Sequence, residues 1–108
     1  MSTLNRTNGV TGTAVAGAVA VNGRFGKITT EALVTAAGAN YTLTVTDPGI
    51  SATDMAFASV DQGTSTTGDP GVLRVTPANG SLLILVRNHH ASVALNGTLK
   101  VSFASFPV

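Results

Sequence analysis

The chain has 108 residues, a net charge of +1 and no cysteine. That length suits one domain, and without thiols neither disulfide nor thiolate–metal staples can support it. Its six basic residues, Arg6, Arg24, Lys27, Arg74, Arg87 and Lys100, are scattered singly, which argues against nucleic acid or an anionic membrane as partner, since both need a concentrated basic face.

Only 10 % of residues are charged, against roughly 25 % in ordinary domains, and the mean hydropathy is +0.34. The longest apolar runs, Ala14 to Val21 and Leu82 to Val86, fall far short of the ~20 residues that span a bilayer. A small domain with few charges and no staples gains most from burying surface against other chains, so a homo-oligomer is expected. The alternative is a sandwich rich in Thr, Ala and Gly that solvates itself with hydroxyls and backbone.

In chain order, Met1 to Gly9 is polar and lacks the apolar centre of a secretory signal. Thr7 to Val21 is almost free of charge and built of small side chains. It reads either as an extended arm laid against another chain or as a first strand paired through Asn22-Gly23 with Arg24 to Thr29, because Asn-Gly between β-prone runs is a hairpin signal. The residues such an arm would offer to a contact with another chain are Val10, Ala14, Val15, Ala18, Val19 and Val21. Ala32 to Ala39 permits at most a turn or two of helix, limited by Gly38 and the β-branched neighbours, and Thr30 to Leu33 reads either as the start of a short helical turn or as a loop crossing the sandwich.

From residue 41 the pattern has period two. Tyr41, Leu43 and Val45 alternate with three threonines; Met55 and Phe57 alternate with Ala56 and Ala58. Asp61 to Gly71 is a polar loop, either a binding loop that offers Gln62, Thr64, Thr66 and Asp69 or a solvated, mobile and silent one. In Val72 to Thr76, Leu73 and Val75 should point inward and Arg74 outward. Leu82 to Val86 is apolar on both faces, as a central strand covered by a second sheet and by a neighbouring subunit would be. Leu99 to Phe103 alternates again.

Asn-Gly at 8–9, 22–23, 79–80 and 96–97, with Asp-Pro-Gly at 47–49 and 69–71, supplies the turn rhythm of an all-β sandwich or barrel. The prediction is an antiparallel β-sandwich with little helix, residues 1–22 forming the arm or first strand and residues 23–108 the sandwich. The four sequons at Asn5, Asn40, Asn79 and Asn96 read as turn chemistry.

Candidate chemistry is sparse. His89 and His90 are adjacent and in a strand would face opposite ways. No Gly-x-Ser-x-Gly elbow accompanies the many hydroxyls. Glu31, Asp47, Asp54, Asp61 and Asp69 show no metal-ligand spacing and fall in loops or at strand ends. Tyr41 and the four phenylalanines are expected mostly in the core, too few for a sugar-stacking platform. No enzyme and no cofactor is expected.

Residues 28–44, Ile-Thr-Thr-Glu-Ala-Leu-Val-Thr-Ala-Ala-Gly-Ala-Asn-Tyr-Thr-Leu-Thr, are followed by a Gly-Thr-Ser-Thr-Thr-Gly loop at 63–68, the apolar strand at 82–86 and Ala-Leu-Asn-Gly-Thr-Leu-Lys-Val-Ser-Phe at 94–103. This succession resembles a family of small structural proteins of tailed bacteriophages, over most of the chain from about residue 24. The resemblance implies a β-sandwich or jelly-roll subunit, made in the bacterial cytoplasm and carried on the capsid surface of the virion. It would decorate the major capsid protein as a homotrimer in preference to a dimer. A tail or head fibre domain that binds a host receptor or carbohydrate is the close second. On the decoration reading, deleting residues 1–21 should abolish capsid binding and leave the core folded.

Overall fold

The computed structural model describes residues 9–108. Asn8, Thr7 and Asn5, which belong to the first turn, the start of the arm and the first sequon, lie outside the described residues.

Among the described residues eight strands form two four-stranded sheets, with no helix. They are β1 (Val10–Thr13), β2 (Ala18–Ala20), β3 (Phe25–Thr29), β4 (Asn40–Thr46), β5 (Met55–Gln62), β6 (Pro70–Ala78), β7 (Ser81–Asn88) and β8 (Leu99–Phe106). One sheet runs β1-β3-β8-β5, the other β2-β4-β7-β6. The chain changes sheet at every connection except β6 to β7, where Asn79-Gly80 closes a hairpin between Ala78 and Ser81. The protein is therefore a β-sandwich.

Alternation explains the core. Ile28, Leu99, Val101 and Phe103 point inward from one sheet and Leu43, Val45, Leu82, Ile84 and Val86 from the other. Each such side chain stabilises the fold by roughly 1.5–3 kcal/mol on full burial. Leu33, Ile50 and Leu95 come down from the loops to close the ends.

Three expectations change. The sheets are mixed: β1 lies parallel to β3 and β2 parallel to β4. Asn22-Gly23 makes no hairpin, because β2 and β3 belong to different sheets; the crossing is tied down by Gly23 N–H, which donates to the buried Asp47 at 3.1 Å. The reversal comes earlier, at Ala16-Gly17. Val15 and Ala18 exchange two backbone hydrogen bonds there, with φ of 52° and 76° at the two central residues. Positive φ at both is the hairpin geometry that favours Asn-Gly, so a sequence that reads Ala-Gly hides it.

Leu73 is the third. The β6–β7 register slips between Val72 and Arg74, and the bulged Leu73 is turned out to 45 % exposure. A bulge inserts one residue and shifts the alternation beyond it, so Val72 and Val75 pack on the core while Leu73 does not.

Candidate functional site

The outer face of the β1-β3-β8-β5 sheet carries three of the protein's five aromatic residues. Phe25 on β3, Phe57 on β5 and Phe106 on β8 are 41 %, 54 % and 47 % exposed, and Met55 stands with them. Only Phe103, of the four phenylalanines, is in the core. This corrects the expectation of mostly buried aromatics. Cross-strand register places Phe25, Ala104 and Phe57 in one row and Phe106 beside Met55. The rings of Phe57 and Phe106 lie 6.2 Å apart at 58°, a tilted contact of the kind aromatic pairs prefer.

Small residues make the floor. Ala104 and Ser102 run down the middle, between Phe25 on one side and Phe57 on the other. Between Phe25, Phe106 and Thr11 lies a wide, shallow cavity of about 620 Å³. The opposite end of the same face is charged: Lys100 is exposed, and Lys27 meets Asp61 at 3.5 Å, both in water. An exposed ion pair of that kind stabilises little, so the apolar end sets what this face can bind.

The outer face of the second sheet is milder. Leu83 and Leu85 of β7 fall between threonines 42 and 44 on β4 and Arg74 and Thr76 on β6. Leu83 is 36 % exposed and Leu85 half-buried, so the inner half of the 82–86 run packs on the facing sheet and the outer half is partly open.

Of the six arm residues, Ala14 is buried, and Val10, Val19 and Val21 pack on this chain's own core. Val15 and Ala18 alone are exposed. The arm is woven into the sandwich, one piece on each sheet. Glu31 fastens it: its carboxylate accepts from Gly17 N–H at 2.8 Å and from the Tyr41 hydroxyl at 2.7 Å. Burial, then the hydrogen bond to Glu31 and that residue's negative charge, hold the Tyr41 phenol well above its ordinary range.

The loop expected over 61–71 is shorter, since Asp61 and Gln62 end β5 and Pro70 and Gly71 begin β6; the 63–69 loop between them is pinned in place. Asn96 Oδ1 accepts from Thr66 N–H at 2.7 Å and Thr67 N–H at 3.0 Å, and its amide donates to the Thr66 hydroxyl. Thr64 and Thr98 each accept the other's backbone N–H at their hydroxyls. Gln62 donates to the Ser65 carbonyl at 2.5 Å. Asp69 N–H donates to Asn88, which is fully buried and uses both amide atoms twice: Oδ1 accepts from Asp69 and His90, and Nδ2 donates to the carbonyls of Thr35 and Val93. Three loops thus meet on one asparagine. They leave a polar hollow of about 320 Å³ bounded by Asp61, Gln62, Thr66, Thr67 and Pro70. Gln62 and Thr66 line it; Thr64 and Asp69 lie outside its lining.

Most candidate chemical groups have structural duties. His90 Nδ1 accepts from the N–H groups of Ser92 and Val93, both at 3.0 Å, and so shapes its own turn. Asp47 accepts from Gly23 and Gly49 N–H. Asp54 accepts from Ser51 N–H and pairs with Arg24 at 3.1 Å. No group of three or more His, Asp or Glu side chains able to hold a metal ion occurs among the described residues.

No family model matches the chain, and no curated protein or solved structure matches it.

The aromatic face escaped a sequence reading that placed large residues inside by default. A signal was present. Phe25 shares its alternation with Lys27, Phe57 with Asp61, and Phe106 with Lys100; in each strand the charge marks the outward parity.

Proposed function

We propose that this protein is a virion structural subunit, a jelly-roll decoration protein that binds the outer shell of a tailed-phage head through the aromatic end of its β1-β3-β8-β5 sheet. The observation that carries the reading is the placing of three of four phenylalanines, with Met55, on one outer face. These side chains are about half covered already, so each would contribute about half of the roughly 1.5–3 kcal/mol of full burial when a partner covers it. Four together offset part of the several kcal/mol that association costs, and a shell repeats the contact many times.

Other features support it. The order β3-β8-β5 facing β4-β7-β6, with a sheet change at every connection but β6 to β7, is what a jelly roll leaves when one strand pair is missing. The carboxylates of Glu31, Asp47 and Asp54 and the His90 nitrogen are engaged in holding loops, which favours a binding protein over an enzyme.

The test uses heads assembled without the protein. Wild type should bind them saturably, and the double variant Phe25→Ser, Phe57→Ser should fold and bind about a hundredfold more weakly, as two exposed aromatic contacts imply. Equal binding by both proteins, or none by wild type, overturns the reading.

The polar hollow between the 63–69 loop and Leu99 favours a second reading, a fibre domain that takes a host carbohydrate. Its walls are fixed by hydrogen bonds and lined with hydroxyl and amide groups, the donors and acceptors a sugar requires. A glycan array separates the two: a decoration protein leaves it blank.

A further inference from the structure

The four edge strands of the sandwich are unequal. β1 and β2 have four and three residues. β6 has nine, but it contains Pro70 and Pro77, a bulge at Leu73 and the exposed Arg74. Short length, proline, bulges and charge are the devices that stop a sheet edge from pairing with another chain. β5 has none of them until its last two residues. It runs eight residues, Met55 to Gln62, with no proline, glycine or bulge, and Asp61 is its one charge.

On one side β5 pairs with β8 along its whole length. Among the described residues, no backbone hydrogen bond outside that ladder involves Met55 to Gln62. Phe57 and Met55, two of the most exposed large apolar residues, stand on this same strand.

We infer that β5 is a self-association edge, at which a second copy of this chain adds its own β5 antiparallel and joins two sandwiches through one continuous eight-stranded sheet. Self-pairing fits the residue pattern. Met55, Phe57, Ser59 and Asp61 face out, and Ala56, Ala58 and Val60 face in. Antiparallel copies keep these faces together only when paired residue numbers add to an even sum, because side chains alternate with period two. The two-fold axis therefore passes between a mid-strand residue, Ala58 or Ser59, and its own copy. Asp61 then lies opposite Met55 or Phe57 of the second copy, respectively, and the two Asp61 residues stand about 20 Å or about 14 Å apart along the strands at the strand rise. Pairing closes at two, because an isologous contact uses the one unblunted edge of each subunit; two such edges would give a fibre. This two-fold replaces the three-fold expected from the resemblance, and it doubles the aromatic face by bringing both Phe57–Phe106 pairs onto one surface.

The inference stands apart from the phage reading, since it is read on the isolated protein and head binding is read on particles. Sedimentation equilibrium of the full chain should give a dimer that dissociates on dilution. Ser59→Lys and Phe57→Lys should each weaken it at least tenfold, and Leu73→Lys, on the blunted β6 edge, should leave it unchanged. Amide hydrogen exchange on wild type should show protection that rises with concentration at alternate residues of β5, which keeps the test open if a variant misfolds. A monomer at all concentrations, a trimer, a dimer indifferent to both lysines, or exchange at β5 that does not vary with concentration overturns the inference.

Discussion

Ser105 faces the core from β8, fully buried, and its hydroxyl has no hydrogen-bond partner among the described residues. A buried hydroxyl left unpaired costs on the order of 1–3 kcal/mol. Ser105→Ala should therefore raise the denaturation midpoint, with a gain of about 1 kcal/mol and an unchanged m-value. Tyr41 carries the opposite lesson, a polar group well served. Its raised phenol pKa means that the folded state holds the proton more tightly than the unfolded chain does. The contribution is complete below the unfolded value of about 10 and is lost as pH rises beyond it. Stability should fall above about pH 10, and Tyr41→Phe should remove that part of the slope. Tyr41 is the one tyrosine, so phenolate absorbance reports its titration directly, and a midpoint at or below the ordinary value would refute the geometry around Glu31. Nothing in the alternation of Tyr41 with its threonines foretold the Glu31 contact, which joins residues ten apart through the fold.

At the scale of elements, the strands with strict alternation were legible and the turns were not all so. β4, β7 and β8 sit where their patterns put them, inward residues buried. Asn79-Gly80 closes its hairpin as expected. Asn22-Gly23 does not, because a dipeptide that tolerates positive φ can also serve a bend between sheets, and its local chemistry says nothing about which sheet follows. The true reversal at Ala16-Gly17 has no such marker. Gly17 is required there: with φ at 76°, an added Cβ would also sit 2.5 Å from the Thr42 carbonyl oxygen. Gly17→Ala should destabilise by about 2 kcal/mol or more, as strain at a positive φ adds to the clash, measured by thermal or denaturant unfolding. Wild-type stability in that variant would mean that the turn is not formed as described. The aromatic face belongs to this scale too. The parity of Lys27, Asp61 and Lys100 shows which side of each strand meets water, and the expectation that the phenylalanines lie mostly in the core weighted size over charge.

For the whole molecule, the consequence concerns the arm. A detachable arm should be removable, with the core left folded. The structure instead lays β1 along β3 and β2 along β4, buries Ala14, and packs Val10, Val19 and Val21 on the core. Deleting residues 1–21 strips an edge strand from each sheet and uncovers Ile28. The truncated chain should unfold at markedly lower denaturant, and loss of binding in it would report lost folding. Full stability of the truncated chain would restore the arm. On the proposed function an external contact would fall to the exposed Phe25, Met55, Phe57 and Phe106, which the folded register, more than any single motif, gathers from three strands onto one end of one face.

A cryo-electron microscopy map of phage heads bearing the protein tests that claim most directly. Density for the sandwich should show the outer face of its β1-β3-β8-β5 sheet turned to the shell and Phe25, Phe57 and Phe106 covered. Density with that face open to solvent, or heads to which the protein does not bind, would contradict it.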